Sequence, residues 1–378
     1  MNWLSSLLAS LILSNFLFSI AHHEALHLHE GDLSGVIGNN NAKTLQPSKE
    51  ITPNWREHQF TSEDTLRINV ITTKEVPGDE PGQSITVEEN LEFLHLSLEN
   101  GEPLLVDENG DYVAKCDPNL EALKKINVNF QSRFFKFRAQ NNQQYSMSFL
   151  SQCGVHNQFI FDSTSDDGQL LHLWNTLEKS RQKLFHNLEN DVPWSTSALE
   201  VRFPGTGVFF SPWGNYISIA NGDHWDIAAH ELGHAVYYYA NLGQMGGGAH
   251  RIDECYSQRL ALSEGWASYF SAWVFLELDA SDPGFEFLVP RRAPIQVENV
   301  PADVCRGTGN EWRVMAFLWD LIDSHEDEEV INENFSEIWN VMLESNIPSA
   351  NALRNRLIQR GHSEQRVDEA WNAAGLSL

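Results

Sequence analysis

The sequence predicts an α+β chain in two parts: a β-sandwich-like module over residues 61–160, then a mainly helical domain with a small β-sheet over 165–378. In the first part apolar residues recur with a period of two between turn signals, and beyond Gly168 the period becomes helical. A length of 378 residues fits two domains at roughly 100–200 residues each and is ample for a sizeable core.

Composition narrows the function classes. The chain carries 52 Asp and Glu against 25 Lys and Arg, a formal net charge of −27. That balance opposes nucleic acid and anionic lipid as partners of a basic surface. A hydrophobic content of 42% is too high for a disordered chain, and 4 cysteines are too few for a disulfide scaffold.

Residues 1–21 read as a signal peptide: an apolar run from Leu7 to Ile20 ends in Ser19-Ile20-Ala21, whose small residues place the cut after Ala21. The segment lacks Lys and Arg, and an uncleaved anchor is the rival reading. The mature protein is then secreted, periplasmic or at the cell surface, with no stable membrane insertion. Export permits disulfides. Of three possible pairings, the spacing favours Cys116–Cys153 and Cys255–Cys305, against the alternative of reduced, buried thiols.

Residues 22–60 form a polar leader, with a His-rich tract at His22, His23, His27 and His29 that reads as a solvated tail. Thr65 to Ile71 and Leu91 to Leu98 alternate as strands do, and Asn100-Gly101 and Asn109-Gly110 signal turns. Asn127 to Phe130 and Phe134 to Phe137 continue the series. Next come a helix over Leu170 to Phe185, strands at Ala198–Phe203 and Asn215–Ala220, and mostly helix from 224 onward.

The chemistry-bearing segment is Asp226-Ile227-Ala228-Ala229-His230-Glu231-Leu232-Gly233-His234, which contains His-Glu-x-x-His. Asn221 or Asp223 can cap this helix, and Leu242-Gly243 can end it. Positions i and i+4 of a helix share a face about 6 Å apart, so both imidazoles can reach one ion. Zinc suits two imidazoles and leaves a place for water. Glu231, one residue on, is placed to take that water's proton rather than to bind the metal. A third ligand is expected at Glu264, an isolated carboxylate in the apolar run Leu260 to Phe270 that is costly to bury unless it meets a cation.

These residues carry a family resemblance. Asp226 to Val236 resembles the first zinc helix of thermolysin-like peptidases, Asp226 included, and Ser263-Glu264 with the following helix resembles their third-ligand motif. The wider pattern, through Ser263-Glu264-Gly265-Trp266-Ala267 and Leu318-Trp319-Asp320-Leu321, is similar to exported bacterial gluzincins over about residues 195–325. The resemblance implies a zincin-type catalytic domain, Zn2+ on His230, His234 and Glu264, Glu231 as general base and a polypeptide substrate. Two departures stand out. Ser268 replaces an acidic residue that would orient a ligand histidine, which shifts that duty to Asp226. The Gly-x-Met-Glu-Asn signature of related aminopeptidases is absent, which favours an endopeptidase.

An oxyanion donor is also required. His250, Tyr256, Arg313 and His325 are available, with Tyr256 and His325 preferred. The resemblance places the strand at Tyr216–Ala220 at the sheet edge, where the family binds substrate backbone, and a plain core strand is the alternative reading. Trp266, Trp273, Trp312 and Trp319 read as core. Two rival functions use the same residues: a surface binding or adhesion protein with a structural or vestigial zinc domain, and a zinc hydrolase acting on an ester or a cell-wall peptide. Residues 22–160 precede the catalytic domain, which leaves open an inhibitory pro-segment there.

Overall fold

The computed structural model describes residues 48–51, 64–77, 84–116, 123–188, 197–281, 283–323, 334–344 and 346–377. The signal segment, all of the leader but residues 48–51, the His-rich tract and His325 lie outside the described residues. The chain is mixed α and β, with short sheets preceding most of the helix.

Two sheets hold most of the early strands. One runs β1 (Ser48–Ile51), β9 (Ser146–Gln152), β7 (Leu123–Val128), β4 (Leu96–Leu98). The other runs β10 (His156–Asp162), β2 (Thr65–Pro77), β6 (Tyr112–Lys115), β5 (Leu105–Val106), with β3 (Ser84–Asn90) also on β2. The alternation from Thr65 is legible in the result: Leu66, Ile68 and Val70 are buried. Phe149 of β9 stacks on Phe159 of β10 with ring centroids 4.5 Å apart, one ring from each sheet.

Asn109-Gly110 closes the β5–β6 hairpin, with Gly110 at φ +79°, a conformation glycine adopts without steric cost. Leu91 to Leu98 is strand only from Leu96, because Leu91 to His95 turn under Tyr112, whose hydroxyl accepts from Leu94 N at 2.7 Å. Cys116–Cys153 joins the end of β6 to the β9–β10 turn, and Cys255–Cys305 closes the second predicted pair. Two disulfides suit an oxidising compartment. Among the described residues no helix is long and apolar enough to cross a membrane.

A third sheet has the order β12 (Phe209–Ser211), β13 (Tyr216–Ser218), β11 (Leu199–Arg202), β8 (Phe135–Arg138). The edge is β12, not Tyr216–Ala220. A turn over Pro212 to Asn215, with Asn215 at φ +52°, folds β12 back on β13 and buries the expected edge inside the sheet. At the other side β8, from the early part of the chain, pairs in parallel with β11. Helix α1 (Asp166–Leu188) packs against it, Trp174 lying 4.9 Å from Phe137 between ring centroids.

Three helices form the centre of the later part: α2 (Trp225–Tyr239), α3 (Gln258–Phe275) and α4 (Glu311–Asp320). Ser257 caps α3 by accepting from Leu260 N, and Asn310 caps α4 by accepting from Arg313 N. Neither Asn221 nor Asp223 caps α2; its N-cap is His224, without a side-chain cap. It ends at Ala240, and the left-handed position that stops it belongs to Asn241, φ +55°, rather than to Gly243. Helices α5 (Phe335–Leu343), α6 (Ala350–Gln359) and α7 (Glu364–Ala373) follow. Trp266, Trp273, Trp312 and Trp319 are buried, and Trp273 stacks on Phe335 at 3.7 Å.

Candidate metal centre

Helix α2 carries His230, Glu231 and His234, and α3 carries Glu264. Both helices are buried on nearly every side, so their polar groups face each other through apolar packing. Two glycines set the spacing. A Cβ on Gly233 would lie 2.9 Å from the Ala267 backbone, which no real Cβ tolerates, so glycine lets α2 and α3 approach. A Cβ on Gly265 would lie 2.8 Å from the Glu311 carbonyl oxygen, so the next glycine does the same for α3 and α4.

The predicted ligands meet. His230 Nε2 is 3.4 Å and His234 Nε2 is 3.0 Å from Glu264 Oε2, and each of the three residues is at most 1% exposed. Two ligand atoms on a tetrahedral ion, each at about 2.05 Å from it, are about 3.3 Å apart. The separations therefore match a coordination shell better than a direct hydrogen bond to His230. Two imidazoles and one carboxylate also form a donor set that suits zinc among divalent ions. The residues fit a metal ion on both geometry and chemistry.

Ser268 Oγ hydrogen-bonds His230 Nδ1 at 3.0 Å, which orients the ring so that Nε2 faces Glu264. The expectation that Asp226 takes this duty is corrected. Asp226 turns the other way and accepts from the backbone N–H groups of Phe287 at 2.7 Å, Leu288 at 3.0 Å and Ile227 at 2.8 Å. It pins the 286–288 segment to the start of α2. Burial pushes its carboxyl up to about 6, against those three hydrogen bonds.

Beside the first triad lies a second, His250, Glu264 and Glu311, which shares only Glu264 with it. His250 Nε2 is 3.6 Å from Glu264 Oε2 and 3.4 Å from Glu311 Oε2. Glu311 opens α4 and is 6% exposed. Burial, partly opposed by His250 and reinforced by Glu264, pushes its carboxyl up to about 8. Sequence reasoning weighed His250 only as an oxyanion donor and missed Glu311. The signal was related to the one that singled out Glu264: a carboxylate beside apolar helical residues, here at the head of the run Glu311 to Asp320.

The other candidates divide. Tyr256 packs edge-on against His250 with ring centroids 6.3 Å apart, and its hydroxyl donates to Glu254 Oε2 at 2.9 Å. Arg313 is structural: it donates to the carbonyls of Cys305, Val304 and Ala374, tying the approach to α4 to the chain end. Glu231 is fully buried on α2, between His230 and His234 in sequence.

No protein-family model matches the chain, and no curated protein matches it.

Proposed function

We propose that the protein is an exported, zinc-dependent metallopeptidase of gluzincin type, acting within polypeptide chains. The observation that carries this reading is the convergence of His230 and His234, one helical turn apart, on Glu264 from a second helix, with Glu231 next to the first ligand.

When bound, a zinc ion polarises the scissile carbonyl and acidifies a water to near-neutral pKa. His230 and His234 through Nε2, and Glu264 through its carboxylate, hold that ion. Ser268 keeps the His230 ring in line. Glu231 accepts the proton of the attacking water on its carboxylate and passes it to the leaving amine nitrogen. Tyr256 is the described candidate for the oxyanion donor, since it adjoins His250 at the rim of the cluster. The two disulfides accord with export.

The test is digestion of an unfolded protein by the full chain, with and without a zinc chelator, beside Glu231→Gln. Chelator-sensitive cleavage that is lost by at least about 100-fold in Glu231→Gln is expected. Full turnover by Glu231→Gln would refute the base assignment, and cleavage indifferent to chelator would refute the metal.

A further inference from the structure

We propose that the cluster is dinuclear: His250 and Glu311 bind a second divalent transition ion beside the first, with Glu264 as the carboxylate that bridges the two. The inference deepens the reading above, since it needs the first triad to bind metal. It does not need the substrate to be a peptide.

Geometry is the first support. The His250–Glu264 and His250–Glu311 separations of 3.6 and 3.4 Å fall in the same range as those of the first triad, near the ~3.3 Å edge of a tetrahedral shell. Both exceed the usual range of about 2.7–3.2 Å for a hydrogen bond between nitrogen and oxygen. Each triad offers three ligand atoms within 4.8 Å of one another, and their shared carboxylate puts two centres side by side. Hydrolases with paired ions hold them about 3.5–4 Å apart.

The tautomer of His250 is the second support. Its Nδ1 lies 3.0 Å from the Gly248 carbonyl oxygen, an atom that only accepts, so Nδ1 carries a proton. This is the backbone-carbonyl hold commonly seen on metal-ligating histidines, and it leaves Nε2 as the ligand atom. Nε2 faces one carboxylate oxygen of Glu264 and one of Glu311, so the three ligand atoms surround one position.

Charge is the third. Glu264 and Glu311 are 0% and 6% exposed and His250 is 4% exposed. One ion in the first triad compensates Glu264 and leaves Glu311 in a buried, carboxylate-rich site. A second divalent ion held by His250 and Glu311 places positive charge against both carboxylates. Its donor set, one imidazole and two carboxylates, is harder than the first and accepts zinc or manganese.

The test is metal stoichiometry of the full chain, stripped with a chelator, refilled with Zn2+ and counted by elemental analysis after desalting. Two equivalents per chain are expected in the parent protein. His250→Ala and the near-isosteric Glu311→Gln should each retain one, His234→Ala should lose the other, and Glu264→Ala should weaken both. In the Mn2+-loaded chain, electron paramagnetic resonance should show an exchange-coupled pair that Glu311→Gln converts to a single-ion signal. One equivalent in the parent, unchanged in Glu311→Gln, would overturn the second site and leave the first intact, with His250 then an imidazolium between carboxylates. No bound zinc in a folded parent would overturn both. Two equivalents without peptide cleavage would support the pair and refute only the substrate.

Discussion

Ser268 Oγ and His230 Nδ1 meet at 3.0 Å across the contact between α2 and α3, so a hydroxyl holds the ring that an acid would hold in the family the sequence resembles. A hydroxyl fixes orientation without adding charge.

Ser268→Ala is expected to weaken metal binding by about 10–100-fold, measured by competition with a chromophoric chelator. Ser268→Asp is expected to recover or exceed parent affinity. Unchanged affinity in Ser268→Ala would show that packing alone orients His230.

Gly233 and Gly265 set how closely three helices approach. Gly233→Ala forces a methyl to within 2.9 Å of Ala267 backbone atoms, and the helices must separate. A loss of about 1–3 kcal/mol in urea unfolding is expected, with weaker metal binding because His234 and Glu264 sit on the separating surfaces. A variant as stable as the parent would mean that the two helices can slide apart freely.

Asp226→Ala leaves the N–H groups of Phe287 and Leu288 without the carboxylate that receives them. The expected cost is about 1–3 kcal/mol per buried donor, with metal affinity within a few-fold of the parent. Calorimetry paired with metal titration separates the two effects. Loss of metal without loss of stability would return Asp226 to the role the sequence suggested.

Asp253 binds Arg291 and Arg292, and these hydrogen bonds hold its carboxyl well below the ordinary aspartate value of 3.8. A depressed folded-state value means that the unfolded chain binds the proton more readily. Its stabilisation is complete above pH 3.8 and fades as pH falls through the folded-state value. Acid unfolding of Asp253→Asn should therefore show a shallower pH dependence below about 4. Identical slopes would show that the clamp contributes nothing.

The Cys255–Cys305 bridge spans a sequence separation of 50 and joins the segments that lead into α3 and α4, the helices bearing Glu264 and Glu311. Replacing both cysteines by serine is expected to cost about 2–5 kcal/mol in unfolding experiments.

Much of this was legible in the residues. His230 and His234 announce themselves through helical spacing, and Glu264 through its isolation among apolar neighbours. Asn109-Gly110 marks its hairpin because few other residues reach that backbone conformation. What stayed hidden depends on contacts far apart in the chain. Ser268 looks like filler in a helix until α2 lies beside it. The pairing of Phe135–Arg138 with Leu199–Arg202 has no local signal, since an apolar strand fits many partners. The turn over Pro212 to Asn215 lay in plain view, but which strand it would leave outermost depends on the whole sheet.

That parallel pairing of β8 with β11 bears on how the protein could mature. A protease cutting between β10 and α1 would not liberate an intact C-terminal part. Phe135 and Phe137 would leave with the discarded piece, exposing Trp174 and stripping β11 of one hydrogen-bonded neighbour. Trimming that respects this architecture stops ahead of the first sheets, or nicks the chain and leaves both fragments associated.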